Sequence, residues 1–304
     1  MNHLLTLQDL SPEEIVRILD LADQLKYEKK NGIEHPYLKG KSVGLIFQKS
    51  STRTRVSFET GVHQLGGQPL FLSSADLQIG RGEPVQDTAR VLSRYLDGIM
   101  IRTYEQKEVE DLARYGTVPV INGLTDYCHP CQVLADLMTI REKFGKLEGL
   151  KMAYIGDGNN MANSLIVGGL KMGMDVAVAT PASHKPDEKV LEFAAGYPDH
   201  FTWTESCQEA VKDADVVFTD TWASMGQEKE KEERQKIFKD YQVNDDLLAL
   251  AKEGVMVQHC LPAYRGQEIT EKVFEDHADE IFEEAENRLH AQKAVMVLLM
   301  KDPQ

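Results

Sequence analysis

The chain has 304 residues, of which 42% are hydrophobic and 27% are charged, a composition typical of a globular protein with about two domains. Its 34 basic and 49 acidic side chains give a formal charge of −15 at pH 7. This charge excludes nucleic acid and anionic membrane surfaces as partners, so any anionic ligand must meet a local basic site. Four cysteines in a chain of this length do not form a disulfide framework.

The sequence predicts neither a membrane span nor a secretory signal. Even the apolar stretch Leu165–Ala179 is interrupted by Lys171 and Asp175 and is shorter than the ~20 apolar residues that a span needs. The first ten residues lack the basic start and the small-residue cleavage site of a signal peptide. We therefore expect a cytoplasmic protein of the size of an enzyme.

Strand-like and helix-like segments alternate along the chain. Ser11–Glu14 combines an N-cap residue, a proline at the first helical position and a capping-box glutamate, which predicts a helix towards Lys30. The predicted strands are the apolar runs Val43–Phe47, Gly98–Ile101, Val118–Ile121, Met152–Ile155, Val176–Ala179, Val216–Thr219 and Val255–Val257. Between them lie the amphipathic segments Thr54–Leu65, Val85–Tyr95, Gln132–Lys143, Met161–Met172 and Asp187–Ala195. Single helices between strands predict parallel sheets with right-handed crossovers.

The charged stretch Lys143–Leu150, punctuated by two glycines, marks the predicted domain boundary. The predicted fold class is therefore α/β, with two doubly wound parallel-sheet domains at residues 1–145 and 150–287. The run Asn287–Met300 is a further predicted helix, and the sequence leaves open whether residues 288–304 pack back on the first domain. Gln227–Lys239 is dense in Glu and Lys, which predicts a solvated helix face.

The segment Ser51-Thr-Arg-Thr-Arg55 follows the first predicted strand and opens a helix. A plain N-cap needs one hydroxyl, whereas this segment has three, together with two arginines that oppose the helix dipole. An anion bound by free N–H groups, hydroxyls and a guanidinium would remove this conflict. We therefore favour a phosphate site over a plain cap. The segment is not the glycine-rich pattern of nucleoside triphosphate sites.

Two further candidates lie where ligands bind in open α/β sheets, beyond the carboxyl ends of strands. Arg102 ends a predicted strand, although alone it fits a surface charge equally well. His129 precedes Pro130 at a helix start, where the dipole favours a neutral imidazole that can polarise a carbonyl. A capping histidine is the alternative. Cys128 and Cys131 have the spacing of a redox or zinc pair, but the sequence has no second such pair.

The segment Gly156–Met161 lies between a predicted strand and a helix and resembles a dinucleotide-binding turn. However, Met161 replaces the third glycine of that motif. The next strand ends in Thr180 rather than in the acidic residue that binds a ribose. The alternative is that an asparagine at the helix start binds a small carboxylate.

Polar residues also end two later predicted strands. Asp220-Thr-Trp222 follows one of them, and its carboxylate is either part of a ligand site or belongs to a loop that buries the tryptophan. Cys260, in His259-Cys-Leu-Pro262, could be a nucleophile, a hydrogen-bond partner or a core residue. The sequence alone does not choose between these roles.

Together these motifs resemble the aspartate/ornithine carbamoyltransferase family along essentially the whole chain. The resemblance rests on Ser51–Arg55, His129-Pro-Cys-Gln132, Asp220-Thr-Trp-Ala-Ser-Met-Gly226, His259-Cys-Leu-Pro262 and Glu284-Ala-Glu-Asn-Arg288. The Ser-Met-Gly segment with Cys260-Leu-Pro is similar to ornithine-specific members, because aspartate-specific members lack it and putrescine-specific members differ there. The resemblance implies transfer of the carbamoyl group of carbamoyl phosphate to the side-chain amine of ornithine, giving citrulline and phosphate.

The resemblance also implies a role for each matching residue. The catalytic residues would be Arg102, His129, Asp220 and Cys260. Carbamoyl phosphate would bind to Ser51, Thr52, Arg53, Thr54, Gln78, Arg102, His129, Gln132, Cys260, Leu261 and Arg288. Ornithine would bind to Asn160, Asp220, Ser224 and Met225.

Family members need no metal, no cofactor and no covalent enzyme intermediate, and the same is implied here, with Cys260 managing the proton of the attacking amine. They are trimers or multiples of trimers, and Gln78 matches a position that reaches a neighbouring subunit's site.

Three alternatives to this function remain open. They are a carbamoyltransferase for another amine such as putrescine, a dinucleotide-dependent oxidoreductase, and a non-catalytic anion-binding module.

Overall fold

The computed structural model describes residues 1–75, 77, 82–223 and 230–301 and divides into two compact units. Unit 1 comprises Met1–Ala135 and Asn287–Gln304, and unit 2 comprises Asp136–Glu286. The chain passes between units within two helices, α5 (Pro130–Phe144) and α12 (Ala278–Met300). Each unit has a parallel sheet with helices connecting its strands, so the predicted α/β fold class is confirmed. No helix in the described ranges is long and apolar enough to cross a bilayer.

The sheet of unit 1 is parallel throughout its described strands. These are β1 (Ser42–Phe47), β2 (Gln68–Ser73), β3 (Gly98–Arg102) and β4 (Val120–Leu124), in the spatial order β2-β1-β3-β4. The helices are α1 (Pro12–Lys30), α2 (Thr52–Gln64), α3 (Val85–Leu92), α4 (Gln106–Tyr115) and the parts of α5 and α12 within this unit. Because β1 and β3 are neighbours, the topological switch point lies at their carboxyl ends, where ligands bind in such sheets.

The sheet of unit 2 is likewise parallel. Its described strands are β5 (Lys151–Ile155), β6 (Asp175–Ala179), β7 (Phe201–Thr204), β8 (Val216–Thr219) and β9 (Met256–His259), in the order β7-β6-β5-β8-β9. The helices are α6 (Asn160–Lys171), α7 (Glu188–Ala194), α8 (Cys207–Val211), α9 (Lys231–Phe238), α10 (Asp245–Leu248) and α11 (Glu271–Asp276). Here the switch point lies between the carboxyl ends of β5 and β8.

Local sequence signals account for most element boundaries. The predicted capping box is present, since Ser11 Oγ accepts from the Glu14 N–H at 3.2 Å and Glu14 Oε2 accepts from the Ser11 N–H at 3.0 Å. The predicted apolar strands all form, whereas β2 and β7 were not predicted. Both are edge strands whose side chains are mostly partly exposed or exposed, so they lack the continuous apolar run of a central strand.

Two helices differ from the sequence prediction. α12 begins at Ala278, before the predicted start at Asn287. α9 was predicted as a solvated face, but Arg234 and Phe238 on this helix are buried. The prediction was wrong for these two positions because a polar helix can still bury one apolar residue and one paired charge.

The C-terminal helix carries a fully buried lysine in unit 1. Lys293 Nζ lies 2.6 Å from His35 Nε2 and 3.1 Å from Gln64 Oε1. Burial disfavours the ammonium ion and lowers the pKa of Lys293 to about 8. Between pH 8 and the usual lysine pKa, the unfolded chain holds a proton that the folded chain lacks. The free energy of unfolding should therefore rise with pH in this window.

The substitution Lys293→Met should remove this pH dependence. We expect the unfolding free energy of the wild type to gain about 2 kcal/mol relative to the variant between pH 7.5 and 10. Urea denaturation at a series of pH values measures this difference. Parallel pH profiles for the two proteins would contradict the lowered pKa.

Candidate active site

The N-terminus of α2 lies at the switch point of unit 1. Ser51 is its N-cap, and its Oγ accepts from the Thr54 N–H at 3.2 Å. The plain-cap interpretation therefore holds for Ser51. Thr52 and Arg53 follow with exposed side chains, whereas Thr54 is fully buried. The remaining hydroxyls, the free N–H groups and Arg53 form an arrangement that can bind an anion.

The second arginine of this segment faces other partners. Arg55 Nε donates to Glu59 Oε1 at 3.0 Å, and its guanidinium lies 3.5 Å from the ring centroid of Phe71. These contacts are with the same helix and with the edge strand β2. Arg53, rather than Arg55, is therefore the candidate phosphate ligand.

Arg102 ends β3 at the same switch point and is buried. Its carbonyl accepts from the Gln48 N–H at 2.9 Å and from the Lys49 N–H at 3.3 Å, which ties the end of β3 to the loop that leads into α2. Burial excludes the alternative that Arg102 is a surface charge. A buried guanidinium at this position can serve an anionic ligand.

His129 immediately precedes Pro130, the first residue of α5, and is buried. Burial lowers its pKa well below the usual value, and the positive charges of Arg288, Arg102 and Arg53 lower it further. The imidazole is therefore neutral at neutral pH, as predicted, although burial rather than the helix dipole is the main cause. A neutral imidazole can donate a hydrogen bond to a carbonyl oxygen.

Arg288 joins three elements of unit 1. Its Nη1 donates to Gln132 Oε1 at 2.6 Å, and its Nη2 donates to Thr54 Oγ1 at 3.4 Å. All three side chains are buried. The structure thus brings residues from α2, α5 and α12 together, as the sequence motifs implied.

The pair Cys128 and Cys131 does not behave as a redox or metal pair. Cys128 Sγ contacts the Leu5 carbonyl at 3.6 Å, and Cys131 Sγ donates to the Asn122 carbonyl at 3.4 Å. Burial raises the pKa of each thiol to about 12. Both cysteines are free, and each thiol has its own carbonyl partner, so they pack as core residues.

Asp220 lies at the carboxyl end of β8, at the switch point of unit 2. Its Oδ2 accepts from Asn159 Nδ2 at 2.8 Å, and its Oδ1 accepts from the Thr221 N–H at 2.7 Å and from Cys260 Sγ at 3.1 Å. Trp222 is also buried, stacked against Phe238 with ring centroids 6.3 Å apart. The buried tryptophan is therefore confirmed, and the Asp220 carboxylate is held at the strand end, while its part in a ligand site stays a prediction.

Asn159 is a further candidate site residue, which the sequence motifs did not indicate. It is the N-cap of α6, and its Oδ1 accepts from the Met161 N–H at 2.9 Å and the Ala162 N–H at 3.2 Å. The predicted residue, Asn160, is the first residue of the helix, and its carbonyl accepts from the Ser164 hydroxyl at 2.9 Å. The preference for Asn at N-caps was the signal that could have singled out Asn159.

Cys260 follows β9 and donates its thiol proton to Asp220. Burial and the charge of Asp220, together with their hydrogen bond, raise the pKa of this thiol well above its usual value. A thiol that stays protonated is a poor nucleophile. Among the three roles left open, the structure therefore favours a hydrogen-bond partner.

The residues around Cys260 are held by further hydrogen bonds. Leu261 has a positive φ of 57°, and its N–H donates to His259 Nδ1 at 2.9 Å. The other ring nitrogen of His259 lies 3.0 Å from Glu268 Oε1. Potential metal-binding atoms of Asp220, His259 and Cys260 lie within 4.8 Å of one another, but hydrogen bonds occupy both nitrogens of His259. These residues form a hydrogen-bonded cluster.

The glycine turn after β5 packs against the chain's own backbone. The Gly158 N–H donates to the His184 carbonyl at 2.9 Å, and a Cβ on Gly158 would lie 2.2 Å from the Lys185 carbonyl carbon. Only glycine fits this close contact. The packing of the chain therefore explains the glycine at this position, and no dinucleotide pyrophosphate is needed to explain it.

The residue before this glycine links the turn to the segment after β8. Asp157 forms a buried ion pair with Arg234 of α9, and Arg234 Nε donates to the Trp222 carbonyl. Burial raises the pKa of Asp157 to about 6, while Arg234 opposes the rise.

Three of the predicted site residues, Gln78, Ser224 and Met225, lie outside the described residues.

Comparison with known protein families assigns the N-terminal and the C-terminal halves of the chain to the same family of carbamoyltransferases. Residues 2–142 match the family model "Aspartate/ornithine carbamoyltransferase, carbamoyl-P binding domain". Residues 148–299 match the model "Aspartate/ornithine carbamoyltransferase, Asp/Orn binding domain". The chain belongs to the aspartate/ornithine carbamoyltransferase family.

Three similar proteins are named ornithine carbamoyltransferase. The ornithine carbamoyltransferase of Oceanobacillus iheyensis is 56% identical over 302 residues, covering 98% of this chain and 94% of the relative. The solved structure of the Pyrococcus furiosus ornithine carbamoyltransferase has a TM-score of 0.95 and 54% identity, covering 100% of this chain and 98% of that one. The anabolic ornithine carbamoyltransferase of Campylobacter jejuni has a TM-score of 0.93 and 43% identity, covering 98% and 99%.

Proposed function

We propose that this chain transfers the carbamoyl group of carbamoyl phosphate to the side-chain amine of L-ornithine, giving L-citrulline and phosphate. The observation that carries this proposal is the 56% identity, over 98% of the chain, to a relative named ornithine carbamoyltransferase. The reaction belongs to arginine metabolism. Two relatives named anabolic support the biosynthetic direction.

Carbamoyl phosphate is a dianion, and the basic cluster of unit 1 suits it. Ser51, Thr52, Arg53 and Thr54 bind the phosphate through hydroxyls, N–H groups and one guanidinium. Arg102 spans the phosphate and the carbonyl oxygen, and neutral His129 donates to that oxygen. As negative charge develops there, these fixed donors stabilise the tetrahedral intermediate.

The remaining ligands recognise the carbamoyl amide. Gln132 Oε1 accepts from Arg288, and the family resemblance assigns its amide to the N–H2 group of the carbamoyl moiety. The family resemblance assigns the same role to the Leu261 carbonyl. It adds Cys260 to the carbamoyl phosphate ligands, together with Gln78, which matches a position that reaches a neighbouring subunit's site. Every group proposed for the reaction is a protein side chain or backbone atom, so the scheme calls for neither a metal nor a cofactor.

The cluster of unit 2 suits an amino acid. The Asp220 carboxylate and the Ser224 hydroxyl bind the α-ammonium group of ornithine. Asn160 and the Met225 N–H bind the α-carboxylate. Asn159 holds Asp220 in place through the 2.8 Å hydrogen bond.

The chemistry is a direct displacement. The side-chain amine, in its neutral form, attacks the carbonyl carbon of carbamoyl phosphate and forms a new C–N bond. The C–O bond to phosphate then breaks, and phosphate leaves with the bonding electrons and takes up the proton that the amine loses, so that hydrogen phosphate is released. Before this step the side-chain amine must lose its own proton to become neutral, and in this proposal the Asp220 carboxylate assists that loss while the protonated Cys260 thiol donates a hydrogen bond to it.

The choice of amine is tested by steady-state kinetics with carbamoyl phosphate and ornithine, putrescine or aspartate. Putrescine lacks the carboxylate and would leave the donors of its subsite unpaired, at a cost of roughly 1–3 kcal/mol per group. Aspartate has no side-chain amine and should not react. A kcat/KM ratio of ornithine to putrescine near or below one would contradict the ornithine assignment but not carbamoyl transfer itself.

The substitution Cys260→Ser tests the proton-handling role. A serine hydroxyl can still donate to Asp220, so we expect measurable turnover. Oxygen is smaller than sulfur and would weaken this contact, so the KM for ornithine should rise, by at most about tenfold. Intact-protein mass spectrometry during turnover should show no carbamoyl adduct. An adduct on Cys260 of the wild type would establish a covalent mechanism instead.

The domain assignment is part of the proposal. Residues 1–145 with 288–304 bind carbamoyl phosphate, and residues 150–287 bind ornithine. The descriptions of the two matching family models support this division.

The expected cytoplasmic location is supported by the four free cysteines, which suit a reducing compartment.

The assembly is proposed to be a homotrimer or a multiple of trimers. Edge strand β2 carries Leu70 and Phe71 with 39% and 38% of their surface exposed, and Tyr95 after α3 is 74% exposed. Exposed apolar side chains beside an open sheet edge are typical of a surface that another chain covers. Light scattering after size-exclusion chromatography measures the mass, and a monomer would contradict this assignment.

A further inference from the structure

Gln292 lies one turn after Arg288 on α12 and is fully buried. Its amide oxygen accepts from Arg288 Nε at 3.0 Å and from Arg288 Nη2 at 2.9 Å, and its amide nitrogen donates to Ser57 Oγ at 2.8 Å. The opposite amide orientation would place N–H groups against the guanidinium N–H groups. The orientation of Gln292 is therefore set by its two neighbours.

Ser57 connects this contact to the proposed phosphate site. Its hydroxyl donates to the Thr54 carbonyl at 3.2 Å, in the first turns of α2. Arg288 also donates to Gln132 and Thr54. Gln292 thus holds the Nε side of the guanidinium, while partners from α5 and α2 hold its two Nη groups.

We infer that Gln292 is a positioning residue, which fixes the Arg288 guanidinium for carbamoyl phosphate. This inference rests on the proposed role of Arg288 in the reaction. An arginine side chain loses much conformational freedom when it binds an anion, and a guanidinium already held in place loses less. An amide oxygen holds the guanidinium without adding a negative charge that would repel the phosphate.

The substitution Gln292→Met keeps the approximate length of the side chain and removes its hydrogen bonds. We expect the Kd for carbamoyl phosphate, measured by calorimetry without ornithine, to rise about tenfold. The KM for ornithine should stay within about twofold. The control is Gln64→Met, because Gln64 lies on α2 and accepts from Lys293 rather than from Arg288, and its Kd should match the wild type.

A double-mutant cycle separates positioning from general loosening of the helix packing. In an Arg288→Ala background, Gln292→Met should have no further effect on the Kd, because the residue acts through Arg288. The same tenfold loss in both backgrounds, or an unchanged Kd in the single variant, would overturn the inference. If Gln292→Met does not fold, Ser57→Ala applies the same test, with an expected rise of about threefold.

The wild type in the same experiment tests the underlying function separately. Citrulline formation from ornithine reports the proposed reaction, whereas the calorimetric Kd reports carbamoyl phosphate binding. A wild type that binds carbamoyl phosphate but forms no citrulline would contradict the reaction and leave the role of Gln292 standing.

Discussion

The substitution Asp220→Asn is expected to lower kcat/KM for ornithine by about a hundredfold or more and to leave carbamoyl phosphate binding unchanged. Asp220 accepts hydrogen bonds from Asn159, Thr221 and Cys260. Asparagine would place an N–H2 group among these donors and would remove the negative charge proposed to bind the α-ammonium group. Carbamoyl phosphate is proposed to bind mainly through the basic cluster of unit 1, which this change does not touch.

A matched control lies at the other end of the same strand. Asp215, just before β8, accepts from the Lys151 N–H at 2.8 Å and from Lys252 Nζ at 2.8 Å. Asp215→Asn makes the same chemical change away from the switch point and should keep wild-type kinetics. Wild-type kcat/KM for Asp220→Asn, or equal losses in both variants, would exclude a direct role of Asp220.

The substitution Arg53→Ala is expected to weaken carbamoyl phosphate binding by about ten- to a hundredfold, as expected for one charge-assisted contact. The reason is that Arg53 is exposed at the N-terminus of α2, where a bound phosphate would offset its conflict with the helix dipole. Calorimetry with carbamoyl phosphate alone measures the effect without any contribution from ornithine.

Arg55 provides the control for this experiment. Its charge is paired with Glu59 and stacked on Phe71, so Arg55→Ala should change the Kd by no more than about twofold. Both variants must have the mass of the wild type by light scattering, because Phe71 lies on the proposed contact surface. If Arg53→Ala bound carbamoyl phosphate as tightly as the wild type, the phosphate assignment would be wrong.

The parts of the fold that the sequence predicted are those with a strong local signal. Central strands such as β1 and β5 are continuous apolar runs because both faces of a parallel sheet are covered. The edge strands β2 and β7 carry partly exposed side chains, so no apolar run identified them. The positions of Arg102 and Asp220 could also be predicted, because both follow a strand-like run and ligands bind beyond the carboxyl ends of such strands.

The residues that the sequence did not indicate are placed by contacts between distant segments. Asn159 had a local signal as an N-cap, but its bond to Asp220 links positions 61 residues apart. Arg234 lies in a segment dense in Glu and Lys, and its ion pair with Asp157 and its hydrogen bond to the Trp222 carbonyl distinguish it from the more exposed residues beside it. Gln292 has no motif of its own, because its contact with Ser57 joins two helices far apart in the sequence.

The four cysteine thiols share a low tendency to ionise. Cys128, Cys131 and Cys207 each have a pKa raised to about 12, and that of Cys260 is raised well above its usual value. With a pKa of about 12, roughly one thiol in 10⁵ is ionised at pH 7. Alkylating agents, peroxides and mixed disulfides all react with the thiolate. We therefore expect these thiols to react slowly with alkylating agents and peroxides at neutral pH.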